Sequence, residues 1–252
     1  MFIDTHCHLN DTEAFPDPQA AILEAKEAGV DRLIIVGIDV DSSELAVKLT
    51  EENEGVYAIV GWHPNYADNY SSEHLKELKE MGQHKKVVAI GEIGLDYYRD
   101  YALEENQLKC LYDQLDLALE LKKPVVFHCR SAYKQLLNIL EKTDKNSFLI
   151  HCFSGNEEDA KRAMALDCYF GIDGPITYKK ADEFRELVKK LPQDRLVIET
   201  DSPWLSPHPF RGKPNKPAYL SYINVALAQT LDLTRAETAK ITTENAQRFF
   251  GI

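Results

Sequence analysis

Three observations in the sequence point to an α/β fold, a (β/α)₈ TIM barrel formed by residues 1–252 as a single domain. Eight short runs rich in Val, Ile and Phe recur along the chain. They are nearly continuous in hydrophobicity, as parallel strands covered on both faces are. Amphipathic stretches separate them, and strand–helix alternation builds parallel βαβ units. The length, 252 residues, matches the roughly 250 that one such barrel needs.

The strands are expected at 2–6, 32–37, 56–61, 87–91, 124–128, 148–151, 168–172 and 196–200. The first intervening helix, 18–29, carries Ala20, Ile22, Leu23, Ala25 and Ala28 on helical spacing, with Gly29 as its stop. The next, 42–53, carries Leu45, Ala46 and Leu49. Helices follow at 71–81, 103–121, 132–142, 157–166 and 180–191, then at 217–231 and 235–250, the last with Thr234 as N-cap. An open doubly wound sheet is the alternative. Against it, the first strand runs into His6-Cys7-His8 and not into a Gly-rich phosphate turn. The Pro-rich segment 202–217 is the longest irregular stretch, a length that often marks function.

Composition narrows the class. Hydrophobic residues make up 44% of the chain, enough for an ordinary core. A net charge of −12 opposes broad binding to nucleic acid, although a local phosphate site stays open to it. No apolar run nears the ~18 residues of a membrane span. The start shows no basic segment followed by an apolar one, so the expected compartment is the cytoplasm. Five cysteines with no CxxC pair fit neither a disulfide framework nor a Cys-rich zinc module. Cys7, Cys129 and Cys152 each follow a histidine. By strand alternation they should face the helix layer as small buried residues.

Of eight histidines, five fall at expected strand ends: His6, His8, His63, His128 and His151. Barrel active sites sit at that end. His6 and His8, two apart on a strand, point the same way and can reach one ion. Neutral imidazole suits Zn, Mn, Co or Fe better than Ca or Mg. Glu92 and Asp201 each follow an apolar run, where a charge needs a partner or a cation. The structural alternatives are an ion pair of Glu92 with Arg99 or Arg130, and an N-cap by Asp201 over Ser202-Pro203. Asp4 and Glu199 share parity with His6 and Asp201 and suit a supporting layer. His6, His8, Glu92, His128, His151 and Asp201 are too many for one tetrahedral ion. They suit two divalent ions, Zn, Mn or Mg, bridged by Glu92 and a water. Paired ions activate water and stabilise both oxygens of a displaced phosphodiester. Asp201 is the candidate to accept the water's proton, so Asp201 and Glu92 carry the catalytic assignment.

The ordered motifs FIDTHCHL, GWHP, GEIGLDYY, PVVFHCR, HCFSG, ETDSPWL and RGKPNKP span the full length. Through them the chain resembles the TatD family of metal-dependent deoxyribonucleases, within the amidohydrolase-like barrel superfamily. The resemblance implies metal binding at His6, His8, Glu92, His128, His151 and Asp201. It also implies hydrolysis of DNA phosphodiesters, commonly as an exonuclease on single strands. Candidate substrate groups are Arg130, by parity with His128, Ser154 at a helix start that can take an anion, and Arg211 in the long loop. His63 would orient a phosphate or a ligand, or close the GWHP turn. Tyr97, Phe153 and Trp204 are candidates to stack on bases, with packing the expected role of Trp204. Lys213 and Lys216 are expected to be solvated, and His74, His84 and His208 to lie at the surface. DNA, probed as single strands, is the expected partner; no obligate protein partner and no membrane are expected. The competing readings are a hydrolase of another phosphoester, an amide or an aminoacyl ester using the same metals, and a noncatalytic metal-binding protein. A histidinol-phosphatase-like barrel is the rival at the level of fold.

Overall fold

Each of the eight apolar runs forms a strand, because each is long enough to pair on both edges and apolar enough to be covered on both faces. The computed structural model describes residues 2–144 and 146–252. In chain order the elements are β1 (Phe2–Cys7), α1 (Pro18–Glu27), β2 (Val30–Val36), α2 (Val40–Glu52), β3 (Val56–Val60), α3 (Ser72–Gly82), β4 (Val87–Asp96) and α4 (Glu104–Leu121). They continue as β5 (Val125–Arg130), α5 (Tyr133–Leu140), β6 (Phe148–Ile150), α6 (Glu157–Ala165), β7 (Tyr169–Ile172), α7 (Asp182–Val188), β8 (Leu196–Ile198), α8 (Leu220–Thr230) and α9 (Arg235–Phe250).

Neighbouring strands from β1 to β8 pair in sequence order, all parallel. The seam between β8 and β1 is stitched at the functional end. Asp201 N–H donates to the His6 carbonyl at 2.9 Å, and His8 N–H donates to the Ser202 carbonyl at 2.8 Å. Cys7 and Ser202 form a parallel bridge there. The result is a (β/α)₈ barrel.

The core has two layers. Leu33, Ile35, Phe127, Phe170 and their neighbours pack outward against the helices. Ile34, Val36, Ile59, Val126, Leu149 and Val197 fill the barrel interior, where Phe249 and Phe250 of α9 join them from below. A filled interior leaves the opposite, C-terminal rim for function.

Three local features depart from simple strand reading. β4 does not stop at Gly91 but runs to Asp96, pairing Gly94 with His128 and Asp96 with Arg130. β1 carries a register irregularity between Asp4 and Cys7. Ile3 therefore joins the interior cluster although His6, three residues on, lies in the site. Cys152 does not face the helix layer as Cys7 and Cys129 do. β6 ends at Ile150, Cys152 has φ +45°, and its Sγ lies 3.0 Å from Asp173 Oδ2.

Candidate metal centre

Glu92 stands at the centre of the C-terminal rim, placed there by the extended β4. Its Oε2 is 3.3 Å from His6 Nε2 and 3.9 Å from His8 Nε2. Its Oε1 is 2.8 Å from His128 Nδ1 and 2.9 Å from His151 Nε2. Asp201 closes the first side, its Oδ1 lying 3.5 Å from His8 Nε2 and 3.9 Å from His6 Nε2. All six expected ligands thus meet, in two groups that share one carboxylate. His6–His8–Glu92 and His63–Glu92–His128 each offer one ligand atom per residue within 4.8 Å.

The donor set fits divalent cations. Asp4, Glu92, Asp96, Asp173, Glu199 and Asp201 are buried, yet among the described residues no lysine or arginine is. Burial pushes Asp4 and Asp173 up to about 8, whereas Glu92, Asp96 and Asp201 lie below the usual carboxyl value, and buried anions of this second kind call for cations or for protonated histidine. His8 Nδ1 donates to the Val36 carbonyl at 3.0 Å, so its Nε2 lone pair faces His6 Nε2 at 3.1 Å. Neither alternative partner takes Glu92, since no ion pair joins it to Arg99 or Arg130 among the described residues.

The charges are coupled. Burial alone would raise the Glu92 carboxyl, but the imidazoles of His151, His63 and His6 and the hydrogen bond from His128 hold it well below the usual range. Burial pulls His6 and His63 down. It pulls His151 and His128 down as well, but both end above the ordinary imidazole value. Glu92 and Glu199 raise His151, and hydrogen bonds to Asp96 and Glu92 raise His128.

Outer carboxylates orient the rings. Glu199 Oε1 is 3.2 Å from His151 Nδ1, and its two oxygens also accept from Thr5 Oγ1 at 3.1 Å and Cys152 N–H at 2.6 Å. Those bonds make Glu199 a support, although it forms a third ligand-like group with His6 and His151. Asp4 accepts from Thr200 N–H, Thr200 Oγ1 and His6 N–H. Asp96 Oδ2, 3.0 Å from His128 Nε2, does for His128 what Glu199 does for His151. Sequence reading passed over Asp96, although it shares the parity of Glu92 within GEIGLDYY. Two buried glutamines of α4, seven residues apart on one helix face, were equally silent. Gln107 brackets the backbone of Asp96, and Gln114 that of Trp62.

A profile of the family described as TatD related DNase matches residues 3–251. The chain belongs to the TatD family. It is 41% identical over 254 residues to the uncharacterized metal-dependent hydrolase YabD of Bacillus subtilis, covering 100% of both chains. It is 33% identical over 257 residues to the 3'-5' ssDNA/RNA exonuclease TatD of Erwinia tasmaniensis, covering 99% of each. The crystal structure of the TatD homolog YjjV from Escherichia coli superposes with a TM-score of 0.93 at 31% identity, covering 100% of this chain and 98% of that one. The chain is therefore a TatD-family metal-dependent hydrolase.

Around this TatD-family centre the remaining sequence candidates separate. His63 Nδ1 accepts the Asn65 N–H at 3.1 Å, closing the GWHP turn. In the neutral ring the proton then sits on Nε2, 3.6 Å from Glu92 Oε1. Arg130 lines the mouth with its guanidinium 3.8 Å from the Tyr98 ring. Ser154 also lines the mouth, where several N–H groups at the start of α6 already have partners. Ser154 N–H donates to Tyr133 Oη, and Asn156 caps the N–H groups of Glu158 and Asp159. Arg211 lies outside the ligand cavity, stacked on Tyr178. Phe153 is buried and offers no stacking face. Trp204 is 47% exposed beside His8, at the mouth rather than in the packing. Tyr98, not Tyr97, is the exposed tyrosine of GEIGLDYY. Lys216 pairs with Glu24, and His74 stacks on Trp62 instead of standing free at the surface.

Proposed function

We propose that this protein hydrolyses phosphodiester bonds of single-stranded nucleic acid, DNA in the first place, with two divalent ions held by His6, His8, Glu92, His128, His151 and Asp201. The observation that carries this reading is Glu92, whose two oxygens face two separate histidine pairs. Such ions supply Lewis acidity that activates water and offsets charge on the phosphodiester. The rest falls to the chain. Asp201, held below the ordinary carboxyl value against burial by His8, His151 and His6, stays ionised and accepts the proton of the attacking water. His63 presents Nε2–H to the mouth and donates to a phosphoryl oxygen. Asp96, Glu199 and the Val36 carbonyl fix ring orientation, so the site is organised before substrate arrives. A substrate of this class is supported by relatives named for ssDNA/RNA exonuclease activity and by arginines and tyrosines around the mouth. The five free thiols fit a reducing compartment, the cytoplasm.

The test uses metal-loaded protein and end-labelled single-stranded DNA. Wild type should yield a ladder shortening from one end, stop with chelator and resume with Mn or Mg. Asp201→Ala should lose about 10²–10⁴-fold in turnover while keeping its folded circular-dichroism spectrum. Wild-type-like activity in that variant would overturn the role of Asp201. No product with any metal would overturn the substrate class and favour a small ester or amide at the same centre.

A further inference from the structure

One cavity among the described residues does not lie over the ligands. About 1050 Å³ in volume, it opens beside them, between the segment after β6 and the β7–α7 connection. Cys152, Ser154 and Pro175 line both this cleft and the cavity over the metal centre, so the cleft branches off the centre.

Its walls differ in chemistry from the centre. One side is apolar and partly open, built from Phe184 and Leu187 of α7. Tyr178 stands opposite, with the Arg211 guanidinium 3.9 Å from its ring centroid. A planar cation stacked on an aromatic ring extends the flat face available to a further ring. Lys179 and Lys180 line the rim, exposed, and no ion pair engages either of them or Arg211 among the described residues. Glu157, Asp182 and Glu186 of the same lining are each paired with a lysine or arginine, which leaves Glu183 as the acidic residue facing those cations. At the floor is the buried carboxyl of Asp173, whose neighbour is Cys152 Sγ. The buried Asp173 carboxyl at the floor and the free cations at the rim put a phosphate at the rim rather than deep. They suit a molecule with a flat hydrogen-bonding ring inward and anionic groups outward. A nucleotide has that form, and the volume lies at the upper end of small-ligand sites, roughly 300–1,000 Å³.

We infer that this cleft is a binding site for one unpaired nucleotide next to the scissile phosphodiester, its base stacked at Tyr178–Arg211 and its phosphates toward Lys179, Lys180 and the metal centre. The inference rests on the nuclease reading for its place in the reaction, but not for the binding itself. A base seated there cannot be paired, so the cleft selects single strands over duplex. The ring pair Tyr98–Arg130 across the mouth offers a second face of the same kind, so flanking bases on both sides of the centre have somewhere to stack.

The test reads binding and cleavage separately. The probe is 2-aminopurine deoxyriboside 5'-monophosphate, whose fluorescence is quenched when its ring stacks. Metal-loaded wild-type protein should quench it. Tyr178→Ala and Arg211→Ala should each weaken binding by about ten-fold and reduce the quench, an effect within the range known for base stacking. Tyr178→Phe should restore both, and Lys213→Ala, outside the cleft, should leave both unchanged. On labelled single-stranded DNA the same alanine variants should raise KM with little change in kcat. Absence of quenching by wild type, or equal quenching by Tyr178→Ala, would overturn the cleft. Quenching without strand cleavage would overturn the nuclease reading and leave the cleft standing.

Discussion

Cysteines follow three of the ligand histidines, and their fates differ with the backbone beneath them. Cys7 and Cys129 turn into the outer core, while Cys152, past the end of its strand, turns toward Asp173. Alternation is a property of paired strand and has lapsed two residues beyond it, which is why Cys152 was not legible and its two counterparts were. The candidate ligands could be singled out because a charge or an imidazole at the end of an apolar run is costly without a purpose. Stacking groups were less legible: Phe153 and Tyr178 are both aromatic loop residues that border the cleft, and only packing separates the buried Phe153 from the partly open Tyr178. The two cysteines remote from the centre make a clean test of burial. Burial pushes the thiols of Cys110 and Cys168 up to about 12, from an ordinary value of 9.0. The fold keeps these protons where the unfolded chain releases them. Their contribution to stability is therefore complete below pH 9.0 and is lost as pH rises from there toward about 12. In peptide-mapped alkylation at pH 8, neither thiol should react in the native protein and both should react after denaturation. Rapid native labelling of either would contradict this burial.

Glycine placement shows how elements accommodate the centre. Gly91 and Gly94 look like the end of a strand, yet both lie within β4. A Cβ at position 94 would come within 1.9 Å of the His128 carbonyl, and φ there is +146°, so glycine is what lets β4 continue beside β5. That requirement arises between strands and cannot be seen along one. Gly171 of β7 plays a similar part. A Cβ there would meet Glu199 Oε1 at 2.2 Å, and Glu199 is fully buried and already bonded to Thr5 and Cys152. Gly171→Ala should lower stability by roughly 1–3 kcal/mol and weaken metal binding through His151. A urea midpoint and a metal titration check it together. An unchanged midpoint with unchanged affinity would mean that Glu199 has room the packing does not display. The helices were legible to within a few residues because their caps are local: Thr234 and Glu237 form a reciprocal box at the start of α9, and Gly29 with φ +86° follows α1. The α4 glutamines were not, since their partners are backbone groups on other elements.

At the level of the whole molecule, the buried carboxylates of the centre, with no buried lysine or arginine among the described residues, predict that a bound metal takes part in stability. Loading the chelated protein should raise its melting temperature. At a free metal concentration a hundredfold above Kd the gain is about 2.7 kcal/mol for one site, or roughly 5–10 °C for a chain of this size. Scanning calorimetry with and without chelator measures it. Identical melting curves would mean that the histidines alone neutralise the cluster. The fold class was the most legible feature of all. Eight apolar runs at even spacing leave few topologies open, and connection rules select the barrel. Substrate was the least legible, because cleft and rim are assembled from loops whose sequences carry no period.

The stitched seam between β8 and β1 has a temporal meaning. His6 and His8 are made long before Asp201 and Ser202, which hold them through two backbone hydrogen bonds. During synthesis the first half of the site waits, exposed and incomplete, for its other half. Sealing of the lower barrel by Phe249 and Phe250 comes later still. Completion of the candidate ligand set is thus coupled to barrel closure, and an ion held by all six residues would mark a chain whose barrel has closed.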